Sequence, residues 1–71
     1  MANRRKQIEA LQKKAADLAE QVEAVKDEME EALENMPESL QYGQRGEQMQ
    51  ERIDLLYTFT DALNEFAEEV L

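Results

Sequence analysis

A heptad that never slips constrains this chain more than any other feature. From Ile8 to Met36 the apolar residues recur at alternating steps of three and four: Ile8, Leu11, Ala15, Leu18, Val22, Val25, Met29, Ala32, Met36. After one interruption the seven-residue spacing resumes as Tyr42, Met49, Leu56, Leu63, Val70. Residues at this spacing line one side of an α-helix and pack against another helix. The pattern predicts an all-α chain of two long helices, each with a packing seam. It prescribes architecture and says little about chemistry.

The first helix is expected from about residue 3 to 35, with Asn3 as its N-cap. Its a positions are Ile8, Ala15, Val22, Met29 and Met36; its d positions are Leu11, Leu18, Val25 and Ala32. Good helix formers fill its interior, which holds neither Gly nor Pro. Pro37 then disfavours helical backbone at Met36 and removes a donor. Residues 36–43 form the turn, in which Pro37-Glu38-Ser39-Leu40 is expected to make one short helical turn with Pro37 at its first position. The second helix is expected from about residue 44 to 70, with Gly43 at its N-cap. Gly46 falls in its first turn, where Gly costs about 1 kcal/mol relative to Ala. Either that helix starts after Gly46 or something approaches the backbone there. Residues 1–71 form a single helical-hairpin domain.

The charges favour an antiparallel hairpin. Residues 1–14 carry Arg4, Arg5, Lys6, Lys13 and Lys14 against Glu9 alone, whereas residues 41–71 carry seven acids against Arg45 and Arg52. A basic start and an acidic end each oppose their own helix dipole. Folding back brings Arg4, Arg5 and Lys6 beside Glu65, Glu68 and Glu69, which offsets both conflicts. The second helix also carries more apolar surface than a two-helix seam needs. Beside the Met49 row run Ile53, Thr60, Ala67 and a further row of Arg52, Phe59, Phe66. A lone hairpin of this length buries too little to exceed its ordering entropy comfortably. Two hairpins forming a four-helix bundle solve that problem. A homo-oligomer, a dimer by preference, is therefore expected, with Ile53, Leu56, Phe59, Leu63, Phe66 and Val70 at its interface.

Composition narrows the chemistry. The net charge of −9 argues against general affinity for nucleic acid or anionic membrane. With no His, the chain lacks the commonest general base and transition-metal ligand; with no Cys, it lacks thiolate sites. No apolar run approaches the ~20 residues that span a bilayer, so a cytoplasmic protein is expected. Asp27, Glu28, Glu30, Glu31 and Glu34 crowd the end of the first helix. They follow neither the EF-hand pattern nor the Glu-x-x-His bundle motif, so they read as a solvated face. No catalytic residues, metal or cofactor are assigned.

One segment does suggest a ligand. Tyr42, Gly43, Gln44, Arg45 and Gly46 set an aromatic ring, a cation and two glycines at a helix start, where free N–H groups favour an anion. Arg45 is suited to bidentate phosphate pairing and Tyr42 to stacking. Arg52, two turns on, is a second cation on the same helix.

The run Glu34-Asn35-Met36-Pro37-Glu38-Ser39-Leu40-Gln41, followed by Arg45-Gly46-Glu47 and Ile53-Asp54, resembles small acidic helical-hairpin proteins of phages and prophages. Gly43 stands where a Ser N-cap would be expected in that class. The resemblance transfers no activity. It implies a setting, the cytoplasm of a host cell, in which small phage proteins act by binding. Two functions follow as expectations. One is a non-enzymatic accessory protein, an oligomeric hairpin that engages a protein partner. The alternative is an oligomer that sequesters an anionic, nucleotide-like signal at the second helix's N-terminus, as a counter-defence.

Overall fold

A computed structural model describes residues 3–70. The chain forms three helices, α1 (Asn3–Glu34), α2 (Glu38–Gln41) and α3 (Gln44–Ala67), with no strand among the described residues. Helix α3 packs back along α1 in an antiparallel hairpin with extents of 59 × 15 × 14 Å. The turn lies where Pro37 and the two glycines predicted it. Pro37 is the N-cap of α2 rather than its first residue: its ψ of 145° is extended, and its carbonyl accepts from Leu40 and Gln41 N–H. Asn3 is already helical, so it is not the cap of α1.

Helix α3 ends at Ala67, three residues short of the expected Val70. The N–H of Glu68 bonds the carbonyl of Asn64 and that of Glu69 bonds Phe66, which closes the last turn. Gln12 then crosses from α1, its Nε2 donating to Phe66 O at 3.0 Å and Glu69 O at 2.9 Å. Gln41 does the same at the other end, donating to Glu34 O at 3.2 Å and Met36 O at 2.8 Å. Neither long helix has a basic residue in its last turn. Two neutral amides therefore satisfy carbonyls that cations often serve.

Gln12 also sets the register. It places residue 12 level with residues 66–69, so α1 begins about 13 Å beyond the end of α3 at ~1.5 Å per residue. The expected meeting of Arg4, Arg5 and Lys6 with Glu65, Glu68 and Glu69 is displaced by this overhang. Arg5 Nε instead lies 3.7 Å from Glu9 Oε1 within α1.

The seam differs from the heptad reading in one respect. The a row of α1 faces α3, with Ala15 buried and Ile8, Val22, Met29 and Met36 half-buried. The second row of the seam is not the d row. It is the row four residues beyond a: Gln12, Ala19, Lys26 and Leu33, of which Ala19 is 2% and Lys26 9% exposed. Leu11, Leu18, Val25 and Ala32 are exposed. Opposite them α3 presents Gly46, Ile53 and Thr60, all buried, with Met49, Leu56, Leu63 and Ala67 half-buried. Thr60 is affordable there because its hydroxyl donates to Leu56 O at 2.8 Å. Small Ala15 and Ala19 are the most deeply buried residues of α1 together with Lys26.

Candidate functional site

At the turn, Gly46 is held by its own chain. A Cβ on Gly46 would sit 1.9 Å from the Gln41 carbonyl oxygen and 2.7 Å from that of Leu40. Of the two alternatives at Gly46, a later helix start or a close approach, the second holds: α3 begins before it and the backbone of α2 lies against it. Gly43 is less restricted: a Cβ there would lie 3.4 Å from Ser39 O, an ordinary contact. It caps α3 in extended backbone without a side-chain acceptor, and its carbonyl receives the Glu47 N–H at 3.0 Å.

Beside this corner is a concavity of about 360 Å³, lined by Leu33, Gln41, Tyr42, Gly46, Glu47 and Gln50. It brings together two of the residues singled out from the sequence, Tyr42 and Gly46. Gln44, Arg45 and Arg52 are exposed and are not among its lining residues. At about 100° per residue, Arg45 and Arg52 lie on the flank of α3 opposite Gln50. The charged group that the concavity does contain is a carboxylate, Glu47. Stacking surface and cations thus sit on different sides of α3.

The helix flanks divide the hairpin into two unlike faces. On α1 the Leu11, Leu18, Val25, Ala32 row lies about 80° to one side of the seam, and the Glu9, Ala16, Glu23, Glu30 row about 80° to the other. On α3 the corresponding rows are Arg45, Arg52, Phe59, Phe66 and Gln50, Tyr57, Asn64. Because the helices are antiparallel, the leucine row and the phenylalanine row share a face. The register sets Leu11 near the level of Phe66 and Leu18 near that of Phe59. Leu11, Leu18, Val25, Phe59 and Phe66 are 41–52% exposed. Leu55, 69% exposed, extends the patch around α3.

The assigned interface residues thus fall in two groups. Ile53, 3% exposed, lies in the hairpin's own seam with half-buried Leu56 and Leu63, whereas Phe59, Phe66 and Val70 face outward. The leucine row of α1 completes the outward patch. Spacing alone does not separate it from the seam, because d and its rival row both lie three or four residues from a.

The opposite face is polar and centres on Lys26. Its stem fills a seam position, while its ammonium lies 3.2 Å from Asp27 Oδ1, 3.5 Å from Glu30 Oε1 and 5.2 Å from the Tyr57 ring centroid. The hydrogen bond to Asp27 holds the ammonium above the ordinary lysine range; burial opposes this, and the charges of Glu30 and Asp27 reinforce it. A small cleft of about 120 Å³ beside it is lined by Glu23, Lys26, Tyr57, Thr60, Asp61 and Asn64. A raised folded-state pKa means that Lys26 adds stability below the ordinary lysine pKa and loses it as pH rises through the folded value. Lys26→Met keeps the stem and removes the charge. Its melting temperature is expected to gain on wild type as pH climbs through that range, and a difference that stays constant with pH would refute the assignment.

Among the described residues, no group of three or more acidic side chains is arranged to hold a metal ion, and no helix is long and apolar enough to cross a membrane. Comparison with protein-family models, with curated proteins and with solved structures gave no match to this chain.

Proposed function

We propose that this chain is a small non-enzymatic binding protein that works as a homodimer. Two hairpins meet across the Leu11–Phe66 face to form a four-helix bundle, and the acidic outer faces engage a protein partner. The carrying observation is the segregation of the two faces. Five large apolar side chains lie exposed on one, whereas Glu23, Asp27, Glu30, Asp54 and Asp61 lie on or beside the other. Contiguous exposed apolar surface on a small chain marks an association site. A face dense in carboxylates is complementary to a partner surface rich in Lys or Arg. The phage setting implied by the turn sequence belongs to this proposal, as does action in the host cytoplasm.

The alternative, capture of a nucleotide-like anion at the turn, draws less support. The concavity there presents Glu47 toward any occupant, and Arg45 and Arg52 stand on the other flank of α3. Sedimentation equilibrium tests the assembly. At micromolar concentration the expected result is twice the chain mass, and a folded species at the single-chain mass would overturn the reading.

A further inference from the structure

We propose that the two hairpins pack α1 on α1 and α3 on α3, about a two-fold axis that lies in the interface and runs perpendicular to the helices, with their turns at opposite ends. This rests on the dimer just described and specifies its geometry. The apolar face is self-complementary when one copy is reversed end for end. On α1 the row Leu11, Leu18, Val25, Ala32 then sets Leu11 against the partner chain's Ala32 position, large facing small, and Leu18 against its Val25 position. Its outer edge, Lys14, Gln21, Glu28, sets Lys14 against the acid at position 28 and Gln21 against its own copy. On α3 Phe59 meets its own copy, Arg52 falls under the ring at position 66, and Leu55 meets the alanine at position 62.

The two rows are symmetric about the same level. The α1 pattern centres on Gln21 and the α3 pattern on residues 58–59. Gln12 lies level with residues 66–69 through its two carbonyl bonds, and nine residues inward on each strand of the hairpin lead to those same centres. One axis therefore satisfies both helices. Lys14 and Glu28 are exposed on the single hairpin, placed for two charge pairs across the symmetric interface. Arg52 over an aromatic ring is a favourable cation–π arrangement. Neighbouring helices all run antiparallel, so their dipoles oppose.

The arrangements that compete are poorer in the same terms. With the turns together, Arg45 and Arg52 of both chains gather at one end of the core, four cations in a stack, while all the Leu–Phe pairs crowd the other. With the turns apart, α1 on α3 is closed to two copies of one chain, because presenting the same face end for end always sets each helix on its own copy. Reversal of α1 on α1 instead sets Arg52 against the aromatic ring at position 66 in each of two outer layers and Phe59 against its own copy at the centre.

Two labels on the full chain test this. Cysteine is absent from the sequence, so Gln21→Cys and Ser39→Cys each introduce a single thiol at an exposed position. A short bis-maleimide is expected to convert Gln21→Cys into covalent dimer, while Gln50→Cys on the polar face is not cross-linked. Ser39 lies against Gly43, 16 residues along α3 from the axis level, so nitroxide labels on Ser39→Cys are expected about 48 Å apart at ~1.5 Å per residue. A distance near 20 Å, roughly two helix diameters, would place the turns together and overturn this geometry while leaving the dimer intact. A long distance without cross-linking at position 21 would overturn the pairing of α1 with α1. A folded single-chain species in sedimentation would remove the dimer itself.

Discussion

Gly46→Ala is expected to lower the melting temperature by about 8–16 °C, the equivalent of roughly 2 kcal/mol in a domain of this size. Alanine is the better helix former by up to ~1 kcal/mol, so propensity alone predicts the opposite sign. The tertiary contact decides. The new Cβ would lie 1.9 Å from the Gln41 carbonyl oxygen and 2.5 Å from its carbon, and neither atom is the end of a flexible side chain. The whole of α2 must shift, which also disturbs the Gln41 bonds that cap α1. Overpacking of this kind costs ~1–3 kcal/mol where side chains give way, and a backbone obstacle belongs at the upper end. Gly43→Ser is the paired control. Its backbone is already extended, at φ −89°, and a Ser hydroxyl supplies the acceptor that α3 lacks, so a gain of a few tenths of a kcal/mol is expected. Thermal melts by circular dichroism read both. Equal behaviour of the two glycine variants would show that α2 does not rest on Gly46.

The double variant Phe59→Ser, Phe66→Ser is expected to abolish the dimer. Each phenylalanine is nearly half exposed on the single hairpin, so its loss leaves the seam around Ile53 and Ala19 in place. Across the proposed interface the same rings become buried, where a large apolar truncation costs ~2–5 kcal/mol. Two-fold symmetry counts every substitution twice. The chain should sediment at single-chain mass at micromolar concentration, or lose its helical signal if the hairpin cannot stand alone. A dimer of unchanged affinity would move the association surface away from this face. Ile53→Ala gives the contrast. Its side chain is 3% exposed and belongs to the seam within the chain, so that change should weaken folding whatever the state of assembly.

Much of the fold was legible from residue spacing. The uninterrupted heptad, the lack of Gly and Pro before residue 37, and the Pro37–Gly43 break determine two long helices and the turn between them, because these are local properties of the backbone. At Gly46 the sequence left two alternatives, a later helix start or a close approach, and the Gln41 carbonyl beside it decides for the second. Rotation of the helices about their axes was not legible. Two rows of α1, Leu11–Ala32 and Gln12–Leu33, stand equally well placed beside the a row, and hydrophobicity favours the wrong one. Packing chose the row with Ala19 and Lys26. There small Ala19 is buried, Gln12 reaches the carbonyls at the end of α3, and the Lys26 ammonium escapes to Asp27 and Glu30. That rotation turns the leucine row outward beside Phe59 and Phe66. The sequence by itself determined which segments are helical and where the chain reverses, since each rests on neighbours within a few residues. Which side of each helix faces water was decided only in the tertiary structure, because it depends on how the surfaces of two separate helices fit together.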